Sequence, residues 1–383
     1  MSVTAAQGFR ASGIAAGIKS NGNPDLALVV NDGPDHHAAA VFTSNRVVAA
    51  PVIWSRQAIT DGRADAVVLN SGGANACTGA PGFQDAHATA EKVAGTLGLS
   101  ALDVQVCSTG LIGERLPMPE LLAGVDKAAG ELSEDGGDAA AVAIMTTDSV
   151  PKTAVVSGAG YQVGGMTKGA GMIAPGMATM LAVVTTDAVV DPATLTEHLQ
   201  DAVRVSFNRA DSDGCMSTND TVILLASGAS GVTPDPAQFR AELTELCSSL
   251  ARQIIADAEG ASHDIAITVV NAASETDAEE AARAVARSNL FKTAIFGRDP
   301  NWGRVLAAVG TTDVEFEADQ LDVSINGVQV CRAGGIGDSR DLVDLEPREV
   351  QVLIDLHAGE QTATIWTNDL THEYVHENSA YSS

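Results

Sequence analysis

Short runs rich in Val, Ile and Leu recur along the whole chain with helical patterns between many of them, and this alternation constrains the fold most strongly. Runs of this length and composition predict strands. The predicted strands cover residues 26–30, 66–69, 104–107, 181–185, 222–225, 265–270 and 352–356. Strands and helices interleaved in this way are typical of an α/β or α+β architecture.

The clearest helix pattern begins near Pro236 and places apolar residues at spacings of three and four on one stripe. The stripe consists of Phe239, Leu243, Leu246, Leu250 and Ile254. We expect this helix to end at Glu259, immediately before Gly260. A carboxylate there opposes the helix dipole, so a positively charged ligand amine would compensate it. A solvated helix terminus is the alternative interpretation.

A second helix is predicted to begin at Thr276, whose hydroxyl can form a capping box with Glu279. Beyond these elements, 383 residues exceed the usual size of one core, which predicts two domains or one large intertwined fold. The sequence contains no linker that would mark a boundary between domains.

Charge and cysteine content exclude several classes of function. The chain carries 22 Lys and Arg against 49 Asp and Glu, a formal net charge of −27 that repels nucleic acid and anionic lipid. No apolar run reaches the ~18 residues of a membrane helix, and the N-terminus lacks a signal-peptide core. Five widely spaced cysteines without a CxxC pair predict neither a disulfide framework nor a zinc knuckle. We therefore expect a cytoplasmic protein.

The segment HEYVH at residues 372–376 matches the H-E-x-x-H pattern of zinc proteases. That pattern binds zinc only on a helix, where both imidazoles face one metal. The preceding residues alternate and are rich in Thr, Ile, Trp and Val, which favours a strand or an extended tail. We therefore expect no metal site here.

Glycines surround a single lysine, Lys168, in the segment TKGAGMIAPGMATML at residues 167–181. The order of residues differs from that of a phosphate-binding P-loop, and Pro175 interrupts any dinucleotide fingerprint. The small residues before Thr179 instead leave the backbone accessible, with Lys168 as a fixed cation upstream. We interpret Thr179 as a candidate nucleophile, against the simpler interpretation of an ordinary strand residue.

A threonine hydroxyl needs an adjacent base, and its own α-amine is such a base only at a chain start. Attack by the Thr179 hydroxyl on the carbonyl of Ala178 would break that peptide bond and create this start. The α-amine has a reference pKa of about 7.7 to 8.0, near the operating pH. Thr109 and Gly110, after the strand predicted at 104–107, offer a hydroxyl and an unhindered N–H for an oxyanion hole, although these residues taken alone favour a simple strand-ending turn.

The chain resembles the ornithine acetyltransferases (glutamate N-acetyltransferases) of arginine biosynthesis along nearly its whole length. The motifs that carry the resemblance are FTSNRVVAAPV (42–52), LNSGGANACTG (69–79), CSTGLIGERLPM (107–118), MTTD (145–148), TKGAGMIAPGMATML (167–181), FNRADSDGCMSTNDT (207–221), GRDPNWGR (297–304) and NSAYSS (378–383).

This resemblance implies cleavage between Ala178 and Thr179 into an α chain, residues 1–178, and a β chain, residues 179–383. Thr179 would then carry acetyl from N-acetylornithine to glutamate, with Thr109 and Gly110 as the oxyanion hole. The implied substrate-binding residues are Thr146, Lys168, Thr179, Glu259, Asn378 and Ser383. The implied fold is a four-layer α/β/β/α sandwich similar to N-terminal nucleophile enzymes, and the implied assembly is a heterotetramer with two copies of each chain.

The resemblance implies no cofactor and no metal, and it leaves open whether acetyl-CoA serves as a second acetyl donor. Two other functions fit the residues. One is a threonine-nucleophile aminopeptidase or amidase, which would pass the acyl group to water. The other is an uncleaved protein that binds amino acids without reacting with them.

Overall fold

The computed structural model describes residues 2–174 and 180–380 and divides them into two compact units. Unit 1 contains residues 2–174, 180–208 and 215–254, and unit 2 contains residues 209–214 and 255–380. The segment 209–214 belongs to unit 2 although unit 1 residues flank it in the sequence. The chain therefore passes between the two units more than once, which explains why no single linker in the sequence marks a boundary between domains.

The strands of unit 1 form two sheets. They are β1 Phe9–Ile14, β2 Leu26–Asn31, β3 His37–Phe42, β4 Ala66–Gly73, β5 Val104–Leu111, β6 Lys152–Ser157, β7 Gln162–Lys168, β8 Leu181–Thr186 and β9 Thr221–Ala226. The first sheet has the order β1-β2-β4-β5 and the second has the order β3-β9-β8-β7-β6. All neighbours are antiparallel except the parallel pairs β4/β5 and β8/β9. Every residue of β8 and β9 is buried, as expected for strands covered on both faces.

Helices pack on both sheets of unit 1. They are α1 Ala50–Ala58, α2 Gly79–Leu97, α3 Met118–Gly130, α4 Gly137–Ala143, α5 Pro192–Val205 and α6 Pro236–Ala256. Helices α1, α2 and α3 pack on the first sheet. The predicted stripe of α6 is fully buried, with Leu246 and Leu250 against β7. A separate apolar core fills the space between the sheets, and α4 contributes to it. The predicted four-layer α/β/β/α fold is therefore confirmed in unit 1.

Unit 2 is a mixed sheet packed against helices around its own core. Its elements are β10 Asp264–Ala272, α7 Glu275–Ala286, α8 Asn289–Phe296, α9 Trp302–Val309, β11 Asp322–Ile325, β12 Val328–Arg332, β13 Gly335–Ile336, β14 Glu349–Asp355, β15 Gln361–Asn368 and α10 His372–Ala380. The strand order is β13-β12-β11-β14-β10-β15, and β10 and β14 are parallel.

The predicted strands each overlap an observed strand, but three predicted boundaries are wrong. Helix α7 is capped by Ser274, whose side chain accepts the N–H of Asp277, so Thr276 lies within the first turn. Helix α6 ends at Ala256, which leaves Glu259 in the turn that follows it. Strand β5 continues through Leu111, so Thr109 and Gly110 belong to the strand itself.

The expectation of a strand or extended tail at residues 372–376 is also wrong, because these residues begin α10. Thr371 caps this helix by accepting the N–H of Tyr374 at 3.0 Å, a signal that the alternating residues before it concealed. Within residues 2–174 and 180–380, no group of three or more His, Cys, Asp or Glu side chains is arranged to hold a metal ion. Over the same residues, no helix combines the length and the apolar character that crossing a membrane requires.

Candidate active site

Two of the predicted site residues meet between the sheets of unit 1. Lys168 ends β7 in the second sheet, Thr109 lies on β5 in the first, and both side chains are buried. Lys168 Nζ donates a hydrogen bond to Thr109 Oγ1 at 3.2 Å. Sequence separation between them is 59 residues, so only the packing of one sheet on the other creates this pair.

Gly110 occupies a backbone conformation that only glycine adopts easily, with φ +130°. It lies where β4 and β5 lose their regular register, at Gly72 and Gly73. A Cβ atom on Gly110 would stand 2.5 Å from the backbone nitrogen of Gly73 and 2.6 Å from the carbonyl carbon of Gly72. The two strands can therefore approach this closely only with glycine at position 110.

Replacing Gly110 with Ala tests whether this close approach supports the site. If Gly110 belongs to the predicted oxyanion hole, we expect kcat to fall by about 100-fold or more, because the added methyl group would displace the N–H groups of that hole. The matched control is Gly113→Ala, which also has positive φ but has open space around its Cβ position. Steady-state kinetics and thermal unfolding are measured for both variants. The Gly113 variant shows the effect of backbone strain alone, and the Gly110 variant shows strain together with the steric clash. Equal kinetics for the two variants would contradict this role.

Asp148 connects the predicted residue Thr146 to the buried lysines. Its Oδ2 accepts the N–H of Thr146 at 2.9 Å, and its Oδ1 accepts from Lys152 Nζ and from the N–H of Gly169, each at 2.7 Å. Burial alone would raise the pKa of Asp148, but the positive charges of Lys168 and Lys152 outweigh it and hold the pKa at about 2. Asp148 thus fixes the backbone at Thr146 and at Gly169, and its negative charge balances the positive charges of Lys152 and Lys168.

Asp148→Asn leaves Lys152 and Lys168 without this counter-charge, so we expect the free energy of unfolding to fall by about 3 to 5 kcal/mol. The charge of Asp148 stabilises the fold above its ordinary pKa of 3.8, and this contribution is lost as the pH falls toward about 2. Urea unfolding between neutral pH and acid measures both effects. The control is Asp126→Asn, which alters an exposed ion pair with Lys92 and should change stability little. Equal losses in both variants would contradict the prediction.

A further cation beside the site, Lys19, was not predicted either. Its Nζ donates to the carbonyl oxygens of Met145 at 2.7 Å and Pro24 at 3.0 Å. Burial lowers its pKa, the charge of Asp25 opposes this effect, and the charge of Lys168 adds to it. Lys19 therefore adds positive potential close to Lys168.

Glu259 and Asn378 lie in unit 2, where a turn packs on the C-terminal helix. Gly260 follows Glu259 with φ +63°, and a Cβ atom there would collide with the backbone of Tyr374 in α10. Thr371 Oγ1 donates to the carbonyl of Gly260 at 2.6 Å. Asn378 is exposed on α10, and its Nδ2 donates to the carbonyl oxygen of Tyr374 at 3.0 Å. The turn that contains Glu259 and the helix that contains Asn378 therefore form one packed element.

The remaining predicted residues, Ala178, Thr179 and Ser383, lie outside the described residues. The residue after Thr179 is described, and its contact was not predicted: the N–H of Met180 donates to Asp220 Oδ1 at 3.1 Å. The neighbouring side chain of Asn219 donates to the carbonyl oxygens of Ala74 at 2.6 Å and Ser108 at 2.8 Å. Asn219 and Asp220 both belong to the motif FNRADSDGCMSTNDT, and neither was predicted to be a site residue.

Comparison with known proteins identifies the family of this chain. Residues 10–383 match the ArgJ family. The arginine biosynthesis bifunctional protein ArgJ of Streptomyces avermitilis is 66% identical over 383 residues, and that of Thermobifida fusca is 64% identical over 383 residues; each alignment covers all of both chains. The solved structure of the arginine biosynthesis bifunctional protein argJ from Bacillus halodurans is 35% identical, with a TM-score of 0.50, and covers 51% of this chain and 97% of that chain. The match over residues 10–383 and the identity along the full length show that this chain belongs to the ArgJ family.

Proposed function

We propose that this protein transfers the acetyl group of N-acetylornithine to glutamate through an acetyl ester on Thr179, after cleaving its own Ala178–Thr179 bond. The observation that carries the proposal is the hydrogen bond from Lys168 Nζ to Thr109 Oγ1 at 3.2 Å. This bond joins a buried cation, which could bind an α-carboxylate, to the hydroxyl group of Thr109 on β5, the strand that carries the proposed oxyanion hole. The names of the curated relatives, which place them in arginine biosynthesis, support the same substrates.

The topology of unit 1 supports the division into chains 1–178 and 179–383. Strands β3, β6 and β7 belong to the first chain, whereas β8 and β9 belong to the second. The second sheet has the order β3-β9-β8-β7-β6, so the pairs β3/β9 and β7/β8 each join one chain to the other. Backbone hydrogen bonds and a shared core would therefore hold the two chains together after cleavage.

The transfer needs two acyl-transfer steps and no cofactor. The Thr179 hydroxyl oxygen attacks the acetyl carbonyl carbon, the bond from that carbon to the ornithine nitrogen breaks, and the hydroxyl proton passes by way of the α-amine to that nitrogen. Glutamate then repeats the exchange in reverse, so its amine takes the acetyl group and Thr179 recovers its hydroxyl. Lys168 would bind the α-carboxylate of either substrate, and Thr109 and Gly110 would stabilise each oxyanion.

Glu259 would bind the ammonium group of the substrate, and Asn378 and Ser383 would make further contacts with it. The packing of Gly260 against α10 supports this arrangement, because it fixes the turn of Glu259 on the helix that carries Asn378. We further propose a heterotetramer with two copies of each chain, located in the cytoplasm. Size-exclusion chromatography with light scattering tests the assembly.

An acetyl-transfer assay tests the proposed reaction. With both substrates present, ornithine and N-acetylglutamate should form in equal amounts. With N-acetylornithine alone, intact mass should show one acetyl group on the chain that begins at Thr179. Ornithine release that does not depend on glutamate would instead identify a hydrolase, and an intact chain of 383 residues that only binds these amino acids would contradict any enzyme of this type.

A second reaction follows from the word bifunctional in the names of the relatives. We propose that acetyl-CoA also acetylates Thr179, so that glutamate is acetylated without ornithine derivatives. Formation of N-acetylglutamate from acetyl-CoA and glutamate alone tests this reaction. No product under these conditions would restrict the enzyme to acetyl exchange between amino acids.

A further inference from the structure

Lys19 is a cation of unit 1 to which the proposed mechanism gives no role. It lies in the loop between β1 and β2 and is half-buried. Its Nζ donates to the carbonyl oxygens of Met145 at 2.7 Å and Pro24 at 3.0 Å. Both partners are neutral, so they orient the ammonium group without cancelling its charge. Among the described residues these are its two hydrogen-bond partners, which leaves one of its three N–H groups for a ligand.

The loop that carries Lys19 is held in one conformation by Asp25, which is fully buried. The two carboxylate oxygens of Asp25 accept the backbone N–H groups of residues 16–19 at distances between 2.6 and 3.1 Å. The N–H of Asp25 donates to the carbonyl oxygen of Ile14, the last residue of β1, at 2.9 Å. Hydrogen bonds to a charged carboxylate are stronger than neutral ones. The backbone of Lys19 is therefore fixed, and its side chain leaves the loop in a defined direction.

The stem of the Lys19 side chain lies beside the proposed oxyanion hole. A Cβ atom on Gly72 would stand 3.2 Å from Lys19 Cγ, so the stem packs directly on the backbone of β4. Gly72 in turn faces Gly110 on β5, because a Cβ atom on Gly110 would stand 3.0 Å from Gly72 Cα. Gly72 alone therefore separates the stem of Lys19 from Gly110.

The charged end of Lys19 lies beside two predicted substrate-binding residues. Its Nζ contacts the carbonyl group of Met145, the residue before Thr146. Burial lowers the pKa of Lys19 and the charge of Lys168 lowers it further, while the charges of Asp25 and Asp148 oppose both effects. Charges act on each other in this way only at short range. The two ammonium groups therefore act on the same small region, beside Thr146.

We propose that Lys19 binds the side-chain carboxylate of glutamate while Lys168 binds its α-carboxylate. This inference rests on the proposed acetyl transfer, and it makes Lys19 a residue that determines specificity for the acceptor. Glutamate carries two carboxylates, which match two neighbouring cations. N-acetylornithine carries one carboxylate, and its side chain ends in an ammonium group that a lysine repels. The second cation therefore serves the acceptor and not the donor.

Lys19→Met tests the proposal in the full chain when the two half-reactions are measured separately. Release of ornithine from N-acetylornithine in a single turnover should stay within about two-fold of the parent rate. Transfer from the acetylated enzyme to glutamate should need a glutamate concentration about 10- to 100-fold higher for half of the maximal rate. Lys19→Arg keeps the positive charge and should recover most of this loss. The control Lys127→Met removes an exposed charge on α3 and should leave both half-reactions unchanged.

The difference between the half-reactions separates acceptor binding from a merely structural role. Equal losses in both half-reactions, or an unchanged dependence on glutamate, would overturn the proposal. If the Met variant does not fold, the parent chain still provides a test with glutamine, which has nearly the same shape but an uncharged amide. Glutamine that accepts acetyl as readily as glutamate would overturn the proposal as well. A parent chain that releases no ornithine from N-acetylornithine would instead refute the proposed function, so the two failures are distinguishable.

Discussion

Thr179→Ala should leave one chain of 383 residues that transfers no acetyl group, whereas the parent chain should separate on a denaturing gel into chains of 178 and 205 residues. The reason is that, in the proposed mechanism, one hydroxyl group performs both reactions. It attacks the carbonyl of Ala178 during cleavage and later carries the acetyl group. Removing the nucleophile of an acyl-transfer enzyme commonly lowers kcat by about 10⁴-fold or more.

Thr179→Ser is the matched variant, because it keeps the hydroxyl group and removes only the methyl group. It should still cleave and still transfer acetyl, at lower rates. N-terminal sequencing of the 205-residue fragment should read Thr-Met-Leu in the parent chain and Ser-Met-Leu in this variant. Two fragments from the alanine variant would show that the hydroxyl group is not the nucleophile.

Lys168→Met should lower kcat/KM for both N-acetylornithine and glutamate by about 10- to 100-fold, which corresponds to the loss of a hydrogen bond to a charged group of about 1.5 to 3 kcal/mol. Methionine is similar in length to lysine, so the site stays filled while the cation and its bond to Thr109 are lost. Because donor and acceptor are both amino acids that share one pocket, KM should rise for both substrates. Steady-state kinetics with each substrate varied in turn measure this change.

The matched control for Lys168→Met is Lys127→Met, which removes the charge of an exposed lysine on α3. Its kinetics should equal those of the parent chain. Equal kcat/KM values for the parent and the Lys168 variant would show that another group binds the carboxylate. Lys19, whose Nζ donates to the carbonyl of Met145, would then be the next cation to test.

Much of the fold followed from local patterns. The stripe of α6 and the fully buried strand β8 were predictable because burial of one helix face or of a whole strand selects apolar residues at a fixed spacing. The element ends were less predictable. Ser274 and Thr371 act as helix caps, but hydroxyl residues also stand nearby at Thr276 and within β15, so the pattern alone did not select the correct one.

Part of the candidate site was also evident from the sequence, because the family motifs include Thr109, Thr146 and Lys168. Asp148 and Asp220 were missed although both stand inside quoted motifs. A sequence does not show how deeply a carboxylate side chain will be buried. Their properties depend on burial and on neighbours twenty or more residues away, such as Lys168 for Asp148 and Met180 for Asp220.

The sequence by itself determined the family, the alternation of strands and helices, and the choice of Thr179 as the residue on which the proposed chemistry depends. These features depend on the order and spacing of residues, and sequence motifs record both. Only the tertiary structure decided that Lys168 on one sheet reaches Thr109 on the other, that Asp148 balances the buried lysines, and that Asp220 accepts the N–H of Met180 just before β8. The reason is that hydrogen bonds and charge interactions act over a few ångströms in space, and packing sets those distances independently of separation along the chain.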